Sequence, residues 1–107
     1  MFIKICGITS EADALLAVAV GADAVGFVFA PSKRQVAPTR VADIVKRLPQ
    51  EVLTVGVFRN EMPERVIKVI NQAGLQAAQM HGDEGPDAVA RVQADVRTVF
   101  KAVAARS

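Results

Sequence analysis

Cysteine and histidine occur once each in the 107 residues, and tryptophan and tyrosine do not occur at all. A single cysteine excludes an internal disulfide. With one histidine, a zinc site would have to draw on carboxylates, and these show no ligand spacing. Five phenylalanines are the only aromatics and the basic residues are scattered, so platforms for stacking bases are missing. The formal net charge is only +2 despite a pI near 9.0, and no five like charges run together. A nucleic-acid partner is therefore not expected. No apolar run approaches the ~18 residues that a membrane span needs. The N-terminus carries one lysine before an apolar stretch broken by Cys6-Gly7 and soon by acids, which does not read as a signal peptide. No glycine pattern of the dinucleotide or Walker type is present, and no nucleophile elbow.

What remains is a chain rich in core-forming residues, 51% hydrophobic against 22% charged. That balance excludes disorder. The length fits one domain spanning residues 1–107, and the expected class is a soluble α/β protein of a reducing, cytoplasmic compartment.

Short apolar runs alternate with helical patterns. Strands are expected at Phe2–Cys6, Ala24–Phe29, Val52–Phe58, Leu75–His81 and Val96–Val103. Each is too continuously apolar for a sheet wetted on one side, so both faces should be covered. Helices are expected at about Glu11–Val20, Pro38–Leu48, Glu61–Gly74 and Pro86–Gln93. Ser10 suits the first N-cap and Gly21 its stop; Pro63 is tolerated in a first turn, and Gly74 ends the third helix. Four strand–helix units followed by a fifth strand are the grammar of a parallel sheet.

Period-two alternation sorts the strand residues into two faces. With Cys6 and Lys4 on one, the same face is expected to carry Gly26, Val28, Gly56, Phe58, Gln79, His81 and Lys101. The other carries Val25, Phe27, Phe29, Val55, Val57, Phe100 and Ala102. A mixed polar face against a greasy one favours a barrel, which places polar groups inside near its active end, over a doubly wound sheet.

Three residues at strand ends are candidates for chemistry. Cys6, before a glycine and a helix start, suits a thiolate favoured by helix N–H groups and acting as nucleophile or base, or else a small buried hydrophobe. Arg34, in Ser32-Lys33-Arg34 after the second strand, suits a two-pronged clamp on carboxylate or phosphate, or a solvated loop charge. His81 ends the fourth strand within Gln79-Met80-His81-Gly82-Asp83-Glu84 and is either structural or part of the same site as Cys6. Asp83 and Glu84 read as first-turn acids of the next helix, and Asn60 as the N-cap of the third.

Taken together, the strings Lys4-Ile5-Cys6-Gly7-Ile8-Thr9, Gly21-Ala22-Asp23-Ala24-Val25-Gly26-Phe27-Val28-Phe29, Ser32-Lys33-Arg34, Val55-Gly56-Val57-Phe58 and Gln79 to Glu84 resemble phosphoribosylanthranilate isomerase, in the family's order and spacing. The resemblance implies a parallel (β/α)8 TIM barrel, here its N-terminal portion of about (βα)4 plus a fifth strand. It implies an Amadori rearrangement of N-(5′-phosphoribosyl)anthranilate in tryptophan biosynthesis, with no metal and no organic cofactor. It assigns the general base to Cys6, the contact with the anthranilate carboxylate to Arg34, and a lining position in the substrate pocket to His81.

The chain also departs from that family. A full barrel needs about 200 residues or more, and its phosphate site comes from loops after strands seven and eight. The family's general acid, an aspartate of a later strand, has no match here. The 107 residues alone are therefore expected to have little activity. Open strand edges near Phe2–Cys6 and Val96–Val103, with Val28 and Phe58 exposed inside, should drive self-association or pairing with a complementary half. The alternative is a non-catalytic half-barrel module that assembles with another chain. Other phosphosugar barrels, an epimerase or a histidine-pathway isomerase, fit the Lys4–Thr9 and Gln79–Glu84 strings poorly.

Overall fold

The computed structural model describes residues 1–102, in which four strand–helix units and a further strand follow one another without interruption. The elements are β1 (Lys4–Ile5), α1 (Glu11–Ala19), β2 (Ala24–Val28), α2 (Pro38–Val45), β3 (Leu53–Phe58), α3 (Pro63–Ala73), β4 (Ala77–Met80), α4 (Pro86–Asp95) and β5 (Thr98–Lys101). Strands are shorter than the apolar runs that encode them. Cys6 and His81 fall one residue beyond β1 and β4, and Val103 lies outside the described residues.

Local chemistry explains where the helices begin and end. Ser10 caps α1, its Oγ accepting a hydrogen bond from the Asp13 amide at 3.1 Å. The other three helices have no side-chain cap and open instead on proline, at Pro38, Pro63 and Pro86. A first-turn N–H has no helical partner, so proline loses nothing there and its fixed φ starts the turn. Gly74 closes α3 at φ +71°, a left-handed conformation that suits glycine. Met62, not Asn60, occupies the N-cap of α3, and Gly85 that of α4; Asn60 and Glu84 act elsewhere.

All five strands are parallel, in the spatial order β1-β2-β3-β4-β5. A doubly wound sheet would reverse its order at a switch point; this one does not. Crossovers of one hand in such a sheet put every helix on the same side. The helix side holds the main core: Val25 and Phe27 of β2, Phe58 of β3 and Met80 of β4 pack with Val41, Val66, Val69 and Val92 from the helices. On the other face Ala24, Val55 and Ala77 form a small second cluster with Leu53. The sheet also curls. Flat strands three places apart stand about 14 Å from each other, yet the Lys4 ammonium of β1 donates a hydrogen bond to the Gln79 side-chain oxygen of β4.

Register corrects the expected faces. Gly26 pairs with Val55, Val28 with Val57 and Gln79 with Phe100, so the inner face carries Lys4, Gly26, Val28, Val55, Val57, Gln79 and Phe100. Gly56 and Phe58 turn to the helices instead, and Lys101 pairs with buried Met80. Phe58 is 2% exposed and stacks on Phe29 with ring centroids 5.3 Å apart; Val28 is half-buried. The aromatics left in the open are Phe2 and Phe100, at either edge of a concave hollow of about 360 Å³ that Lys4, Leu53 and Gln79 also line. Among the described residues no helix is long and apolar enough to cross a membrane.

Candidate active site

Parallel strands put all their C-terminal ends on one edge, and the three sequence candidates lie there, just after β1, β2 and β4. Cys6 is exposed and its thiol free. The sulfur occupies the space that a side chain on Gly26 would fill: a Cβ built there would lie 2.6 Å from Sγ. Gly26 belongs to the inner face, so the thiol does too. The loop that carries it is tied down where the Ile8 amide donates to the Gly26 carbonyl at 3.1 Å.

Arg34 reaches this place from the β2–α2 loop, which folds back over the end of its own strand. Gln35 bridges to Val28, the Gln35 side chain donates to the Phe29 carbonyl at 3.1 Å, and the Arg34 amide donates to Ser32 Oγ at 3.0 Å. The guanidinium stem then lies across Gly7, whose φ of +80° and missing Cβ leave room for it; a Cβ would come within 2.6 Å of Arg34 Cδ. Cys6, Gly7 and Arg34 line one end of a hollow of about 480 Å³ whose other walls are Ile5 of β1 and the apolar residues Leu16 and Ala17 of α1 and Val20 at its end.

His81 shares the edge but is not among the residues lining that hollow. Its amide donates to the Phe58 carbonyl at 2.7 Å, and its ring Nδ1 stands 3.3 Å from Gln79 Nε2. Through Gln79 the ring is connected to Lys4, two residues before Cys6. The structure thus brings thiol and guanidinium together beside Gly7, and links the imidazole to Lys4 of β1 by a side-chain relay.

Glu84 does something the sequence did not suggest. Its side chain is 3% exposed, and its carboxylate sits at the centre of the β4–α4 loop. One oxygen accepts from the Gly82 amide at 2.8 Å and the Lys101 ammonium at 2.9 Å; the other accepts from the Asn60 amide at 2.8 Å. Asn60, at φ +52°, accepts in turn from the Asp83 amide at 2.6 Å. Lys101 also donates to the Gly82 carbonyl. Burial alone would raise the Glu84 carboxyl, but the hydrogen bond from Lys101 and those from the backbone amides of Glu84, Asn60 and Gly82 outweigh it and hold the group below its ordinary range. The carboxylate staples three successive strand ends together next to His81. A glutamate just before Gly85-Pro86, with a lysine in the following strand, was the available signal. Among the described residues no three His, Cys, Asp or Glu side chains converge as a metal would require.

The chain as a whole has counterparts among known proteins. Residues 3–107 match the family described as N-(5′-phosphoribosyl)anthranilate isomerase. The chain belongs to this family. An isomerase of that name from Rubrobacter xylanophilus is 51% identical over 105 residues, which are 97% of this chain and 51% of the relative. The crystal structure of the phosphoribosyl anthranilate isomerase from Thermus thermophilus superposes with a TM-score of 0.91 at 47% identity, covering 94% of this chain and 50% of that one. A further member, at TM-score 0.91 and 44% identity, was solved in complex with reduced 1-(o-carboxyphenylamino)-1-deoxyribulose 5-phosphate; the match covers 94% of this chain and 52% of that one. The chain spans about half the length of the curated relatives it matches. Its five strands and four helices are accordingly part of a (β/α) barrel, with which the unreversed strand order agrees.

Proposed function

We propose that the chain forms the base-bearing part of a phosphoribosylanthranilate isomerase acting in the cytoplasm. The observation that carries the reading is the placement of the Arg34 side chain against Gly7, next to Cys6, at the C-terminal edge of the strands. In a barrel the loops at this edge hold the active site. The ligand of the solved relative is the reduced form of an aminoketose and bears both a benzoate and a phosphate, which gives the two recognition tasks their chemistry.

The rearrangement begins when a general acid protonates the ribose ring oxygen and the anthranilate nitrogen supplies the electrons that open the ring, leaving a Schiff base. Cys6, as thiolate, then takes the proton from C2′. The C–H electrons form an enolamine and the iminium nitrogen becomes an amine. Tautomerisation gives the ketone. An ordinary thiol has a pKa of ~8.5, close enough to neutrality for a working base. Arg34 presents two parallel N–H groups to the planar anthranilate carboxylate, a match that lysine lacks. His81, at the same strand edge but outside the hollow that Cys6 and Arg34 line, would meet the part of the substrate that extends across the inner face. No residue of this chain is assigned the acid or the phosphate grip, so these fall to a complementary half-barrel. Exposed Phe2 and Phe100 flank the inner face against which that half, or a second copy, would pack.

The test is a chimaera in which the chain continues into the second half of the Rubrobacter xylanophilus relative. Isomerase turnover is expected to rise by orders of magnitude over the 107 residues alone, and Cys6→Ser to remove most of it. A chimaera without activity, or one indifferent to Cys6→Ser, overturns the reading.

A further inference from the structure

The only histidine of the chain is held by a relay whose polarity is set at its far end. Lys4 Nζ donates to the Gln79 side chain. An ammonium carries donors and no acceptor, so the atom that faces it must be the carboxamide oxygen. That choice removes the usual freedom of a carboxamide to be turned end for end. The other branch of Gln79 is then the NH2 group, and it stands 3.3 Å from His81 Nδ1. An amide nitrogen also only donates. Nδ1 must therefore offer its lone pair, and the neutral ring must carry its proton on Nε2.

From this chain of donors we propose that Lys4 and Gln79 are positioning residues that lock His81 as the Nε2–H tautomer, making it a hydrogen-bond donor at the C-terminal edge of the strands. The ring is exposed at the strand edge and its amide is anchored to the Phe58 carbonyl at 2.7 Å, so Nε2–H is directed by the relay. A donor there suits an oxygen of the bound ligand, a hydroxyl or an anionic oxygen, and is the wrong partner for taking a proton. The inference deepens the isomerase reading and rests on it for what the donor meets; the tautomer itself does not depend on it.

The test uses the 107-residue chain labelled with nitrogen-15, without substrate, at a pH where the imidazole is neutral. Because the chain has a single histidine, the ring nitrogens give one pair of signals. The expected spectrum has Nε2 in the protonated range and Nδ1 in the unprotonated range. Gln79→Glu keeps the shape and the attraction to Lys4 but replaces the amide by a group that only accepts, so the pattern should invert, with the proton on Nδ1. Lys4→Met frees the carboxamide to turn and should average the two signals. Lys4→Arg, again a cation with donors only, should restore the wild-type pattern. Backbone amide spectra establish that each variant is folded. Averaged signals in the wild type, or a pattern unmoved by both Gln79→Glu and Lys4→Met, overturn the relay. The isomerase reading fails separately, through the Cys6→Ser chimaera, whatever the ring spectrum shows.

Discussion

The sulfur of Cys6 occupies the place that a side chain on Gly26 would take, with 2.6 Å between Sγ and the position of the missing Cβ. The neighbouring strand therefore leaves a niche for the thiol, and Gly26→Ala should close it. The Cys6 backbone is only 3.4 Å from the same point, so relief has to come from turning the sulfur away. Overpacking costs about 1–3 kcal/mol, and alanine regains about 0.5–1 by stiffening the unfolded strand. The net change in urea unfolding should stay within about 2.5 kcal/mol. Turnover of the chimaera should fall at least about tenfold, since a base displaced by an ångström loses its alignment. Full turnover in a folded Gly26→Ala chimaera would show that the niche does not hold the reactive sulfur.

Glu84 predicts an acid limb of stability. Its carboxyl titrates below the ordinary value of 4.5 in the folded chain, burial being outweighed by Lys101 and the loop amides. A lowered folded value means that the stabilisation is complete above the unfolded carboxyl's range and is lost as pH falls through the lower, folded value. Tm should accordingly drop as pH falls through and below 4.5. Glu84→Gln should flatten that drop and cost about 1–3 kcal/mol at neutral pH by leaving Lys101 and one amide poorly paired. Asp43 is lowered too, by hydrogen bonds from Lys46 and then Arg47, but its side chain is 59% exposed and Asp43→Asn should leave the limb nearly intact. Equal acid limbs in wild type and Glu84→Gln would show that the carboxylate does not hold the strand ends together.

Much of this fold is written locally. Alternating apolar runs and helical patterns, Ser10, Gly74 and three opening prolines give the element order, and the motif strings name Cys6, Arg34 and His81. The faces of β3 and β5 are not written locally. Period two says that Gly56 and Phe58 share a side, but which side depends on the pairing of Gly26 with Val55, a register set between strands. β3 reads Leu-Thr-Val-Gly-Val-Phe, with no charge to mark the inner face. Asn60 and Glu84 misled for a similar reason. Each stands where a cap is expected, and each instead bonds across 23 or 24 residues of chain.

The face assignment of β3 can be tested by two truncations. Phe58 is buried against the helices and stacked on Phe29, whereas its neighbour Val57 is half-buried on the inner face. Phe58→Ala should cost about 3–5 kcal/mol in denaturant unfolding, because it removes a ring and leaves a cavity that the helices cannot close. Val57→Ala should cost clearly less, about 1–2 kcal/mol, at a position only half-buried. The opposite ranking would turn the strand over.

Arg34 lies across Gly7, and this contact makes the position of the proposed carboxylate clamp depend on a residue without a side chain. Arg34→Lys keeps the charge and loses the planar fork, so kcat/KM of the chimaera should fall by about tenfold to a hundredfold, the equivalent of about 1.5–3 kcal/mol of charged hydrogen bonding. The loss should be mostly in KM, since the clamp holds substrate and transition state alike. Gly7→Ala should reproduce part of that KM effect with Arg34 intact. It also adds about 1–2 kcal/mol of instability, because alanine resists the +80° φ that glycine accepts there. Steady-state kinetics of the two variants separate the contributions. If Gly7→Ala loses stability while its KM is unchanged, the guanidinium finds its place without the glycine, and the β1 loop holds only the thiol.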